Sequence, residues 1–214
     1  MSHGSCGPHF CSGVATAPIM TDVKSELRRH SLARRDLVSH DEAHQTAILV
    51  RDRAIGLLAD IAAREECVAR VVSVYWPIRS EVNTRPLIDS LTAKVGQVVL
   101  PVMHAVRHPL IFRAFQPGDD LVKGPFGLSE PSADKAAFDP DIVFAPLAAF
   151  DRSGGRLGYG GGIYDATLKE LRARKPVVAI GLAHSLQEAE AVPCEAHDQR
   201  LDFIITESET IVCP

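Results

Sequence analysis

No uninterrupted apolar run approaches the roughly 20 residues that a membrane-spanning helix needs, because Pro, Arg or Asp breaks the longest candidates. Cysteine is sparse. Cys6, Cys11, Cys67, Cys194 and Cys213 are scattered, odd in number and free of any CxxC. That excludes a disulfide framework in a chain of this size and points to a reducing, cytoplasmic setting. An excess of positive charge is also missing: the formal net charge is −4, which argues against general nucleic-acid binding. Aromatic residues make up 6% of the chain, with Trp76 the single tryptophan, so any stacking role for indole falls on one position. No internal repeat and no linker divides the sequence. What is present is a hydrophobic content of 46% over 214 residues, enough for one domain with a sizeable core.

The first nineteen residues differ from the rest, being rich in Ser, Gly, His and Pro. They lack the charged and apolar regions of a secretory signal. His3, Cys6, His9 and Cys11 match no structural zinc spacing. Residues 1–20 therefore read as a disordered tail, with Met20 a candidate start, and residues 21–214 as a single domain.

The densest chemical signal lies between Phe150 and Asp165, where six of the fifteen glycines fall within nine positions. An apolar run, Ile142 to Leu147, precedes it and a helix-like run, Tyr164 to Arg174, follows. Strand, glycine-rich loop and helix in that order form an anion site: the backbone N–H groups approach phosphate oxygens and the helix dipole assists. Arg156 adds a fixed charge, and Asp165 a carboxylate suited to a phosphate-bridging magnesium ion. The Walker pattern fails, because Gly161 and Gly162 stand where Lys and Ser/Thr belong. The dinucleotide pattern fails at Ile163. A ligand-free turn is the competing reading of the glycines alone.

The remaining pattern predicts the fold. Thr21 or Asp22 caps a first helix to about Val38, and Asp41 caps a second, through Ala43 to about Glu66. Strands are expected at Val68–Tyr75, Gln97–Val102, Leu110–Phe115 near a sheet edge, Ile142–Leu147, Val177–Leu182 and, last, Phe203–Thr206. A helix is expected from Arg85 to Val95 and a loop-rich segment from Asp119 to Phe138. Alternating strands and helices imply a three-layer α/β/α fold with a mainly parallel sheet. Ligands then bind beyond the strands' carboxyl ends, which would put Glu81 and the glycine loop in one cleft. Arg29 and Arg35 read as a solvated helix face. Cys67 reads as a small core hydrophobe, and His184 as structural more than as a base.

Arg-Leu-Gly-Tyr-Gly-Gly-Gly-Ile-Tyr-Asp, residues 156 to 165, resembles the signature of the 5-formyltetrahydrofolate cyclo-ligase (5,10-methenyltetrahydrofolate synthetase) family. Four further motifs resemble that family in the expected order, from about residue 21 to 208. They are Lys24-Ser25-Glu26-Leu27-Arg28, Tyr75 to Thr84 with Glu81 and Thr84, Phe126 to Pro131, and His197 to Asp202 with Ile205-Thr206-Glu207. Ile163 stands where an aromatic is common, and Ala166 where Arg is frequent.

The resemblance implies ATP- and Mg²⁺-dependent closure of 5-formyltetrahydrofolate to 5,10-methenyltetrahydrofolate. It implies ATP contacts from Lys24, Ser25, Glu26, Leu27 and Arg28 and from Arg156, Leu157, Gly158, Tyr159, Gly160, Gly161, Gly162, Ile163 and Tyr164. Trp76, Glu81, Tyr159, Gly160, Gly161 and Gly162 would meet the folate, Asp165 and Asp198 the metal, and Arg156 and Lys24 would act in catalysis. Trp76 reads equally as a pteridine-stacking ring or a core tryptophan. The partners implied are small molecules, folate and ATP, with neither nucleic acid nor membrane, acting on a monomer. Two competing readings are a non-catalytic nucleotide- or folate-binding protein and an ATP-dependent enzyme of the same scaffold with another formyl or acyl substrate. Intact Lys24, Arg156 and Asp165 argue against the first, and Glu81 against the second.

Overall fold

A computed structural model describes residue 1, residues 20–63 and residues 71–214. The tail reading, Cys67, the last residues of the expected second helix and the first residues of the expected first strand lie outside the described residues.

Helix α1 (Met20–Arg35) already includes Thr21 and Asp22, so neither is its cap. The chain leaves the helix after Arg35, three residues short of Val38. Helix α2 (His40–Ala63) is capped by Ser39 and not by Asp41. The Ser39 Oγ accepts from the Glu42 amide at 3.3 Å while Glu42 Oε2 accepts from the Ser39 amide at 2.9 Å. This is the Ser-x-x-Glu capping box, which satisfies two amides reciprocally.

Seven strands form one sheet. They are β1 (Val71–Ser73), β2 (Gln97–Val102), β3 (Ile111–Ala114), β6 (Ile142–Pro146), β9 (Val178–Leu182), β10 (Phe203–Ile205) and β11 (Thr210–Val212), in the spatial order β11-β10-β9-β6-β1-β2-β3. The five central strands run parallel, and β3 and β11 pair antiparallel at the two edges. Two pairs stand apart from this sheet: β4 (Leu121–Lys123) with β5 (Ser129–Pro131), and β7 (Ala149–Phe150) with β8 (Arg156–Leu157). Phe203–Thr206 is thus the penultimate strand and not the last, and the loop-rich segment from Asp119 holds a small hairpin.

Period-two alternation divides the core between the two sheet faces. Val98, Leu100, Ile142, Phe144, Ile180 and Leu182 meet Val50, Ala54 and Leu58 of α2 and Leu87, Ile88 and Leu91 of α3 (Arg85–Thr92). Val99, Val143, Ala145, Ala179 and Ile204 meet Leu168 and Leu171 of α4 (Ile163–Arg174) on the other face. Each fully buried Val, Leu, Ile or Phe side chain among these contributes about 1.5–3 kcal/mol. Helices therefore cover both faces, and the parallel strands require it, because their residues are apolar on both sides. The sequence order reverses at β1, with β2 on one side and β6 on the other, so the crevice beyond the carboxyl ends of β1 and β6 is the natural ligand site. No helix among the described residues is long and apolar enough to cross a membrane.

Candidate active site

A cleft of about 1030 Å³ opens at that crevice. The segment after β1 brings Trp76 and Glu81 to it, the glycine loop after β8 brings residues 158–162, α4 brings Tyr164 and Asp165, and α1 brings Lys24, Ser25 and Arg28. The turn before β10 adds Glu195, His197 and Asp198. Glu81 and the glycine loop share one cavity, as the strand-end argument requires.

The glycine loop is fixed at both ends. Upstream, the β7–β8 turn closes on Asp151, whose carboxylate accepts from Ser153 N, Ser153 Oγ, Gly155 N and Val192 N at 2.6–3.1 Å. Burial opposes its charge, but those bonds hold its carboxyl below the ordinary range. Downstream, α4 starts from Gly162, which has a left-handed φ of 61°; Gly160 has 97°. Only glycine enters that region without strain. The loop amides from Tyr159 to Gly162 find no acceptor among the described residues, so they are available to an anion at a helix N-terminus. The loop is reached directly from a two-residue strand and not from the long apolar strand, since the β7–β8 hairpin intervenes.

Arg156 lines the cleft with its side chain only 4% exposed. Nη2 donates to Asp165 Oδ1 at 2.8 Å and Nη1 donates to the Gln199 carbonyl. The guanidinium thus orients the Asp165 carboxylate, whose Oδ1 also accepts from Gln199 N at 2.9 Å. Lys24 and Arg28 lie on one face of α1, as their spacing predicts. Lys24 Nζ meets Asp198 Oδ2 at 2.8 Å and Glu195 Oε1 at 3.5 Å. Burial opposes its charge, while Asp198 and then Glu195 raise its pKa above the ordinary lysine value. Arg28 Nε donates to the Gly158 carbonyl at 2.7 Å, fastening the helix to the loop. Two members of the same motif sit elsewhere. Glu26 pairs on the surface with Arg29 and His30, and Leu27 packs against Ala149, Leu157 and Val192.

Asp165 and Asp198 both line the cleft, and no group of three His, Cys, Asp or Glu suited to a metal occurs among the described residues. Two hard carboxylates without a closed cage fit Mg²⁺, which takes its remaining ligands from phosphate oxygens and water.

Glu81 is 8% exposed and accepts from Ile78 N at 3.0 Å. Burial pushes its carboxyl up to about 7, against the opposing pull of the Ile78 amide, Arg35, Tyr159 and Arg79. Trp76 combines both sequence readings. Its ring lines the cleft, yet it meets Phe115 edge-on at 5.7 Å and carries the Arg85 guanidinium 4.7 Å from its centroid. His184 is buried away from the cleft, and burial lowers its pKa, which agrees with a structural residue.

Arg35 departs from the sequence expectation. It is not a solvated arginine: it is 1% exposed and stands beneath the cleft, whereas Arg29 is exposed as expected. Sequence spacing offered no signal for it, because its partners come from three distant segments. Met103, Arg107 and Lys169 also line the cleft and were not singled out from sequence.

A family model described as the 5-formyltetrahydrofolate cyclo-ligase family matches residues 20–207. A Haemophilus influenzae protein named 5-formyltetrahydrofolate cyclo-ligase is 34% identical over 169 residues, covering 77% of this chain and 87% of that one. The Escherichia coli K12 protein of the same name is 36% identical over 146 residues, covering 66% and 80%. The solution structure of Aquifex aeolicus 5,10-methenyltetrahydrofolate synthetase superposes with a TM-score of 0.70 at 27% identity, covering 89% of this chain and 92% of that one.

Proposed function

The chain belongs to the 5-formyltetrahydrofolate cyclo-ligase family, and from that premise we propose that it converts 5-formyltetrahydrofolate to 5,10-methenyltetrahydrofolate with ATP and Mg²⁺, releasing ADP and phosphate. The observation that carries this reading is a single cleft holding both a loop of unpaired amides and a buried carboxylate, Glu81.

The reaction has to make a poor electrophile reactive. The formyl oxygen attacks the γ-phosphorus of ATP, the bond to the bridging oxygen breaks, and ADP leaves. N10 then attacks the formyl carbon, loses its proton, and the phosphate departs with the former formyl oxygen. Phosphoryl transfer of this kind asks the protein for alignment and charge neutralisation. The amides of residues 159–162, with Arg28 and Lys24, would receive the phosphates. Bound Mg²⁺ would neutralise phosphate charge, held by Asp165 and Asp198, with Arg156 fixing the Asp165 carboxylate. Lys24, now paired with Asp198, would exchange that carboxylate for phosphate as the nucleotide arrives. Glu81 would accept the adjacent N–H donors of the pterin, with Trp76 and Tyr159 lining the ring's pocket.

The test is the appearance of methenyltetrahydrofolate absorbance from the 5-formyl isomer. Product should form only with both ATP and Mg²⁺ and stop on chelation. An equal rate without nucleotide overturns the reading.

A further inference from the structure

Arg35 is a buried cation that the reaction as described does not use. Its three donor groups reach three separate segments: Nε to Ser80 Oγ at 3.0 Å, Nη1 to the Leu147 carbonyl at 3.3 Å, and Nη2 to the Tyr159 hydroxyl at 2.7 Å. Ser80 precedes Glu81 on the exit of β1, Leu147 directly follows β6, and Tyr159 belongs to the glycine loop. The guanidinium also stands 5.8 Å from the centre of the Tyr159 ring. One rigid fork therefore joins the last residue of α1 to both strand exits that flank the crevice and to the loop. Ser80 Oγ passes the connection on by donating to Asp36 Oδ1. Lysine, a single flexible point charge, cannot match this geometry.

Arg35 has no ion-pair partner among the described residues, although it is almost fully buried. A buried charge without a contact partner needs a compensating charge nearby. The Glu81 carboxylate, which lines the cleft and follows the Ser80 that Arg35 holds, supplies it. We propose that Arg35 is a positioning residue of the folate subsite: its guanidinium holds the Tyr159 hydroxyl and the Glu81 segment in one arrangement and supplies the positive charge that the buried Glu81 carboxylate faces. This rests on the folate reading of the cleft. Arg35 opposes the effect of burial on Glu81, as does Arg79 from the same β1 exit. The other titratable groups facing Glu81 are Tyr75 after β1, Tyr159 in the loop and Tyr164 on α4. Burial raises the pKa of all three hydroxyls, so they stay neutral where Glu81 titrates.

Two variants separate geometry from charge. Arg35→Lys keeps the charge and loses the fork, so the KM for 5-formyltetrahydrofolate should rise about tenfold with the acid limb of its pH profile unmoved. Arg35→Gln also loses the charge, and the acid limb should move up by about one pH unit or more. Tyr159→Phe, which keeps the ring, should raise the same KM severalfold and, because the lost hydroxyl also holds the Glu81 carboxyl down, move the limb up by less than Arg35→Gln does. A second readout needs no substrate: the pH dependence of urea stability, which Glu81 links to proton uptake. Stability should fall as pH rises toward 7 in the wild type, continue falling to higher pH in Arg35→Gln, and lose this slope in Glu81→Gln. Absence of turnover by the wild type would overturn the folate reading, and the stability arm would still test the Arg35–Glu81 coupling. Equal loss of activity at every pH in Arg35→Lys and Arg35→Gln, with an unmoved limb and slope, would reduce Arg35 to a structural residue and overturn the proposal. If Arg35→Gln does not fold, an unchanged KM in both Arg35→Lys and Tyr159→Phe overturns it equally.

Discussion

Glu81 is a carboxylate held where its charge is unwelcome, which opposes binding and stability to one another. With its folded pKa raised to about 7 above the ordinary glutamate value, the folded chain binds more protons than the unfolded chain between those limits. Stability from this group is therefore fully present at low pH and lost as pH rises through 7. Glu81→Gln should stabilise the protein by about 2 kcal/mol at pH 8 and by little at pH 5, while its KM for folate rises. Thermal melts at the two pH values with parallel kinetics check both halves. Arg156 has the opposite balance, since its buried guanidinium holds Asp165 and the Gln199 carbonyl. Arg156→Ala should weaken binding of a non-hydrolysable ATP analogue and also destabilise the fold by about 3 kcal/mol, because it leaves Asp165 without its counter-charge. Urea denaturation and nucleotide titration measure these separately. Neither outcome follows from the motif alone: the residue types were legible in the sequence, whereas the burial that sets their energetics was not. Arg35 is the extreme case. In sequence it is one of two adjacent arginines ending a polar helix, and only tertiary packing makes it a buried cation.

The glycine loop divides its work unevenly among its glycines. Gly160 has a left-handed φ of 97°, and a Cβ there would lie 3.5 Å from Arg28 Nη2, whereas a Cβ at Gly158 would meet nothing within 4 Å. Gly160→Ala should cost about 1–2 kcal/mol of stability and raise the KM for ATP, and Gly158→Ala should leave stability nearly unchanged. Denaturation midpoints and ATP titrations of the pair check the contrast. The parallel strands were readable because Ile142 to Pro146 and Val178 to Leu182 are short apolar runs bounded by Pro, Asp or Lys. The hairpins β4–β5 and β7–β8 have strands of two or three residues, too few to establish a period, and β11 lies beyond an apolar run that already reads as the last strand. The start of α2 was readable in principle, because Ser39-His40-Asp41-Glu42 is a capping-box sequence.

The family match begins at residue 20, where α1 begins, and the cleft takes its first residue from Lys24. A chain starting at Met20 should accordingly keep its melting temperature and its turnover. A fall in either, measured beside the full chain, would assign the first nineteen residues a role. Two cleft residues also constrain how the protein comes into being. Lys24 and Asp198 are in contact although 174 positions separate them. A nascent polypeptide that has left the ribosome only through β6 carries Glu81 but neither the glycine loop nor Asp198. An intermediate of synthesis that ends before Asp198 cannot offer the complete cleft, so a ligand spanning it rewards only chains that have passed that residue. Its binding free energy arrives late in translation, once the contact between Lys24 and Asp198 can close.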